Sequence, residues 1–209
     1  MKCESLIFDI DGTLWDSRSI VAEGYNRQLI AEGHPELCIT PEDLRRLFGK
    51  TMRDIADAML ATIPEEDRYD LMERCMDNEQ QLLHNDPCQI AYEGVVETLK
   101  ELSKQHRLFI VSNSQSGYPE LLLEKLELEP YFAGTLCFGQ TQTDKGTTIR
   151  TLMEQHDITS ACYIGDIQGD LEATRKAGLP FIWASYGFGQ VVGYDAKIDT
   201  FPELLELFE

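Results

Sequence analysis

Four short apolar runs, none broken by alternating polar residues, constrain the fold of this 209-residue chain more than any other feature. They are Leu6-Ile7-Phe8, Leu108-Phe109-Ile110-Val111, Ala161-Cys162-Tyr163-Ile164 and Phe181-Ile182-Trp183. A strand with one wet face alternates apolar and polar residues. A strand covered on both faces does not, which is the habit of parallel strands sandwiched between helices. Helical stripes lie between the runs: Val95, Val96, Leu99, Leu102; then Leu121, Leu122, Lys125, Leu126; then Ile149, Leu152, Met153, His156. Strands that alternate with helices predict an α/β protein on a parallel sheet. Right-handed crossovers then align the loops that follow the strands along one edge of the sheet.

The stretch 15–88 breaks that rhythm. It holds no convincing strand but has helical patterns over 17–32, 41–48, 52–61 and 65–83, with Pro35, Pro41, Pro64 and Pro87 at the joints. In the last of them Leu71, Met72, Cys75, Met76, Leu82 and Leu83 form an apolar face. The expected organisation is a Rossmann-like core, 1–14 with 89–209, interrupted by an α-helical domain over 15–88. With 43% hydrophobic and 26% charged residues, the chain can bury a core that needs no disulfide or metal to hold it.

Polar residues gather where the runs end. Asp9, Asp11 and Thr13 follow the first, Ser112 and Asn113 the second, and Gly165-Asp166-Ile167-Gln168-Gly169-Asp170 the third. Ligands of open α/β sheets bind beyond the carboxyl ends of the strands, so four carboxylates and two hydroxyls are expected to converge there. Crowded carboxylates repel, and an oxygen-only donor set suits Mg2+. Lys145, with Gly146 at a helix start, supplies a positive point charge for a phosphate oxygen, and loop amides near Gly12 and Asn113 add donors. A carboxylate close to a phosphate is opposed by about 4 kcal/mol per charge pair at ~4 Å and an effective dielectric of ~20, which is the work a cation and a lysine must cancel.

These residues resemble the haloacid dehalogenase superfamily, phosphatase branch. Asp9-Ile10-Asp11-Gly12-Thr13-Leu14-Trp15-Asp16-Ser17 is similar to its first motif, Val111-Ser112-Asn113 to its second and Lys145 to its third. Gly165 through Asp170, with Ala173-Thr174-Arg175-Lys176-Ala177-Gly178, is similar to its fourth. The resemblance implies Asp9 as nucleophile and Mg2+ ligand. It implies Asp11 as general acid/base, with its backbone carbonyl also on the metal. Gly12, Thr13, Ser112, Asn113 and Lys145 would bind the phosphoryl group, with Asp166 and Asp170 at the metal. Residues 15–88 stand where that family places a mobile cap, and Lys50 in Phe48-Gly49-Lys50-Thr51 lies where relatives keep a substrate-facing loop. Trp183 through Gly189 resembles the phosphoglycolate-phosphatase-like members. Those enzymes often carry Lys-Pro-x-Pro at the third motif, whereas this chain has Lys145-Gly146-Thr147-Thr148, a departure that touches substrate choice rather than chemistry.

The expected activity is thus Mg2+-dependent hydrolysis of a small phosphorylated metabolite through an aspartyl-phosphate. A phosphomutase of the same superfamily is the nearest alternative, but Ser19, Ile20 and Val21 stand where such relatives carry a cap histidine. A phospho-accepting signalling module is another; Asp11 and the long insertion argue against it. With 18 basic and 37 acidic residues the net charge is −19, which repels nucleic acid backbones and anionic membranes, so neither is an expected partner. No run reaches a membrane span, and the first residues do not read as a signal peptide. A cytoplasmic monomer or weak homodimer is expected. The six cysteines show no zinc-type spacing and are expected to be buried and reduced.

Overall fold

The computed structural model describes residues 2–87 and 90–208. In chain order the elements begin with β1 (Ser5–Phe8), α1 (Arg18–Ala31), α2 (Pro41–Arg45), α3 (Met52–Met59), α4 (Glu65–Asn85) and α5 (Val95–Leu102). Next come β2 (Arg107–Ser112), α6 (Tyr118–Lys125), β3 (Phe132–Cys137), α7 (Phe138–Thr141) and α8 (Lys145–Gln155). The chain finishes with β4 (Ala161–Gly165), α9 (Gln168–Ala177), β5 (Phe181–Ala184), β6 (Ala196–Ile198) and α10 (Leu204–Phe208). Two compact units result: Met1–Asp16 with Ile90–Glu209, and Ser17–Gln89.

The first unit is a six-stranded parallel sheet in the order β3-β2-β1-β4-β5-β6. The four apolar runs became β1, β2, β4 and β5, the inner strands of that order. β1 lies between β2 and β4, with Ile7 in register with Phe109 on one side and Tyr163 on the other. Ile7, Phe109, Val111, Tyr163 and Phe181 pack with Ile149 and Leu152 of α8 and Leu171 of α9 into one core. Each such side chain contributes roughly 1.5–3 kcal/mol when fully buried. Local signals set the flanking helices: the Asp144 carboxylate accepts from the Thr147 amide and caps α8, and Gly178, at φ +80°, ends α9 in the left-handed conformation glycine tolerates.

The second unit is helical. Tyr25, Leu29, Leu44, Ile55, Leu71, Met72 and Cys75 share its core. α1 and α4 pack closely at Gly24, where a Cβ would lie 2.8 Å from the Cα of Glu79. α2 starts at a capping box in which Thr40 and Asp43 satisfy each other's backbone amides. Glu65, Glu66 and Asp67 at the start of α4 favour its positive end.

Two strands have no counterpart among the apolar runs, and one expectation needs correction. β3 and β6 do not read as apolar runs, because both are edge strands. β3 contains Gly134 and is only partly buried, and β6 has three residues with Lys197 exposed in the middle. The cysteines are also not uniformly reduced. Cys3 and Cys162 form a disulfide across 159 residues, with Cα atoms 6.0 Å apart, because Cys3 enters β1 beside the strand that carries Cys162. Cys75 and Cys137 are buried free thiols, Cys38 is an exposed one, and Cys88 lies outside the described residues. Among the described residues no helix is long and apolar enough to cross a membrane.

Candidate active site

Three parallel strands end side by side, and each hands an acid or a hydroxyl to the same edge. Asp9 follows β1 directly, its backbone amide donating to Ile164 O at 2.9 Å, which continues the β1–β4 pairing one residue further. Ser112 is the last residue of β2, and Asp166 is the first after β4. Asp170 belongs to the first turn of α9, and Lys145 is the first residue of α8.

The side chains meet in a buried cluster. Carboxylate oxygens of Asp9, Asp166 and Asp170 lie within 4.8 Å of one another. Lys145 Nζ reaches Asp170 Oδ1 at 2.6 Å and Asp9 Oδ1 at 3.0 Å, and none of these three side chains is more than 5% exposed. The second oxygen of Asp170 accepts the backbone amides of Asp166 at 3.1 Å and Ile167 at 3.2 Å. Asp170 is therefore committed on both oxygens, to the lysine and to the helix start. Asp166 is held differently: the Phe188 amide donates to its Oδ2 at 2.7 Å, and Trp183 Nε1 donates to its carbonyl at 3.1 Å.

The loop after β5 closes over the first turn. The Tyr186 hydroxyl donates to Thr13 O at 2.8 Å. Gly12, at φ +82°, and Gly187 both press on Asp166, and a Cβ at either position would collide with its side chain. Gly12 thus does more than offer an amide donor, since no larger residue fits there. Thr13 Oγ1 and Ser114 Oγ are buried with no hydrogen-bond partner in the structure, an arrangement that suits a site built to receive a polar ligand. Ser112 Oγ accepts the Ser114 amide at 3.2 Å, and Asn113 is partly buried beside it.

Electrostatics follow from the crowding. Burial, and next the charge of Asp170, push the Asp9 carboxyl up to about 7 against the opposing pull of Lys145. Asp166 is raised well above the usual carboxylate range, by burial and then by Asp170 and Asp9. Burial alone would lower Lys145; the charges of Asp170 and Asp9 outweigh it and keep the ammonium firmly protonated. Three acids beside one ammonium ionise only against resistance in a dry place, which is what the raised Asp9 and Asp166 express, and every donor on offer is a hard oxygen. A hard divalent cation fits that set.

Not every residue singled out in the sequence joins the cluster. Asp11 turns its carboxylate aside, where Oδ1 accepts from Trp15 Nε1 at 3.0 Å and from the Tyr118 hydroxyl at 2.9 Å. So three carboxylates converge rather than four. Lys50 belongs to the helical unit, where it is exposed and its amide donates to Leu47 O at 3.1 Å. Tyr118 escaped sequence reading altogether. It sits at the head of α6, 107 residues from Asp11 in sequence.

Comparison with known proteins agrees with this architecture. Residues 6–184 match the family model described as haloacid dehalogenase-like hydrolase. A phosphoglycolate phosphatase of Agrobacterium fabrum is 30% identical over 97% of this chain and 91% of its own length. One from Caulobacter vibrioides is 25% identical over 96% and 88%. Among solved structures, a haloacid dehalogenase-like hydrolase of Streptococcus pneumoniae superposes with a TM-score of 0.83 at 19% identity, covering 99% of both chains. A superfamily hydrolase of subfamily IA from Geobacter sulfurreducens gives 0.73 at 19%, covering 99% of this chain and 97% of its own. These two structural likenesses show the shared fold. With a family model spanning both strand-end acids and the lysine between them, the chain belongs to the haloacid dehalogenase-like hydrolases, alongside their phosphoglycolate-phosphatase-like members.

Proposed function

We propose that the protein is a Mg2+-dependent phosphatase that hydrolyses a small phosphate monoester through an aspartyl-phosphate on Asp9. The observation that carries this reading is Asp9 itself, a buried carboxylate whose Oδ1 is pinned 3.0 Å from Lys145 Nζ beside two further acids. A carboxylate held in this way is a poor structural element and a good nucleophile, because it is preoriented and stripped of water. Its relatives named phosphoglycolate phosphatase support the substrate class, and phosphoglycolate is the first ester to test.

An oxygen of Asp9 attacks phosphorus and forms an O–P bond, while the P–O bond to the leaving group breaks and its electron pair stays on the leaving oxygen. Asp11 gives that oxygen a proton. Asp11 then takes a proton from water as the water oxygen attacks the phosphoryl group, which frees phosphate and restores Asp9. Lys145, Ser112, Asn113, Thr13 and the Gly12 turn hold the phosphoryl oxygens. Asp9, Asp166 and the backbone carbonyl of Asp11 would hold Mg2+, which would supply charge neutralisation for the phosphoryl group. Asp170 keeps Lys145 in place.

The direct test is phosphate release from a panel of small phosphate esters, with Mg2+ and with excess EDTA. Release that depends on Mg2+ is expected; release undiminished by EDTA contradicts the metal requirement. A second expected result concerns pH. Folded Asp9 keeps its proton up to about pH 7, whereas its ordinary value is 3.8. The folded state therefore binds more protons between those limits, and the stability of the metal-free protein falls as pH rises across them. A cation competes with that proton, so the rise in Tm on adding Mg2+ should grow from pH 5 to pH 7.5. A Mg2+ effect on Tm that is flat over this range would contradict it.

A further inference from the structure

We propose that the turn 185–189 after β5 is a positioning strap for the cation site, with Tyr186 as the side chain through which it sets Mg2+ affinity; this rests on the metal-holding role given to Asp9 and Asp166 above. The strap touches both loops that carry those acids. On the β4 side the Phe188 amide donates to Asp166 Oδ2 at 2.7 Å, which fixes the plane of that carboxylate. On the β1 side the Tyr186 hydroxyl donates to Thr13 O at 2.8 Å. The Thr13 amide in turn donates to Ile10 O at 3.1 Å, so the turn that follows Asp9 is held both by its own backbone and by the strap.

Gly187 lies between these two contacts and makes the span possible. A Cβ there would stand 2.4 Å from Gly12 O and 2.4 Å from Asp166 Cβ, so the strap backbone rests on both loops at once. Its root is anchored. The Ser185 amide donates to Ile198 O of β6 at 3.0 Å, the Gly187 amide turns back to Ala184 O at 3.2 Å, and the Tyr186 and Tyr92 rings meet edge to face at 4.8 Å. Trp183 in β5 adds its indole N–H to the Asp166 carbonyl at 3.1 Å. Mg2+ demands near-ideal octahedral geometry at about 2.0–2.1 Å, so a small shift of the Asp9 loop against the Asp166 loop is felt as lost affinity. Groups that orient metal ligands without touching the ion are worth about 10–100-fold in affinity.

Mg2+ affinity, measured by isothermal titration calorimetry well below the melting temperature, reads this role without turnover. Tyr186→Phe removes only the hydroxyl and is expected to weaken Mg2+ binding about 10-fold; Gly187→Ala, which drives a Cβ into both loops, is expected to weaken it about 100-fold. Ser185→Ala is the control. It takes a hydrogen bond from the same strap, the one its hydroxyl donates to Asp199 at 2.5 Å just past β6, and should change affinity by less than about 2-fold. The chain has two tryptophans, so its indole N–H signals are few enough to follow by NMR. The Trp183 signal should move as Mg2+ is added to wild type, and should need about 10-fold more Mg2+ to move as far in Tyr186→Phe. Should Gly187→Ala not fold, Tyr186→Phe against Ser185→Ala still decides. If Tyr186→Phe binds Mg2+ as wild type does, or Ser185→Ala weakens binding as much, while Asp166→Asn weakens it, the strap has no positioning role and the metal reading stands. If Asp166→Asn leaves Mg2+ binding unchanged, the metal reading fails and the strap's role goes with it.

Discussion

Asp9→Asn should abolish turnover while leaving the fold intact and, above pH 7, more stable than wild type. The loss comes from the nucleophile: without it only binding and electrostatics remain, and removal of a covalent nucleophile costs on the order of 10⁴-fold or more in kcat. The gain in stability has a separate cause. Asp9 is buried, faces Asp170, and is pushed up to about 7 from 3.8, so above pH 7 the native state holds a desolvated charge it resists. The shift corresponds to at most about 4 kcal/mol, of which the amide recovers a part. Lys145 keeps its 2.6 Å contact with Asp170 in the variant. A melt at pH 8 without divalent cations, beside phosphate release, reads both effects. A variant that loses activity because it unfolds would contradict the account; so would one that retains more than about a hundredth of wild-type kcat.

Lys145→Met should have the largest effect on stability. It removes the ammonium from a cluster in which Asp9, Asp166 and Asp170 approach one another within 4.8 Å. Breaking a buried ion pair from one side costs about 3–5 kcal/mol, because the remaining charge has neither water nor a partner. For a chain of this size that is on the order of 10 °C in Tm. Mg2+ should restore part of the loss, since it supplies positive charge to the same oxygens. Activity should still fall at least about 10²-fold, because the phosphoryl group loses a preorganised cation. Lys145→Arg should rescue neither property: the slot is 4% exposed and shaped for a compact ammonium rather than a planar fork. A Lys145→Met protein with unchanged Tm at pH 8 would show that the cluster is wetter than its burial implies.

Much of this was legible in the sequence, for physical reasons that differ from element to element. β1, β2, β4 and β5 read as unbroken apolar runs because both faces are covered, whereas β3 and β6 sit at the edges and need no such run. The helices of the second unit have local signals, since prolines and caps such as Pro41, Pro64 and the Thr40–Asp43 box stand at their starts. The convergence of Asp9, Asp166 and Asp170 followed from one rule, that polar residues after parallel strands share an edge, whereas Lys145 stood out only as a positive charge at a helix start. The pairing of Asp11 with Tyr118 did not follow, since it depends on the crossing of two side chains beyond the strand ends. The Cys3–Cys162 disulfide was equally hidden: strand order, not spacing, brings residues 159 apart to one place. The commitment of both Asp170 oxygens to Lys145 and to the start of α9 also came only from geometry.

The central claim is that Asp9 becomes covalently phosphorylated during turnover. Acid quenching within a single turnover, followed by borohydride reduction, converts an aspartyl-phosphate to homoserine. Peptide mass spectrometry then locates it. The account predicts homoserine at position 9 in wild type with Mg2+, and none in Asp9→Asn. Phosphate released while Asp9 stays unmodified at every quench time would contradict it.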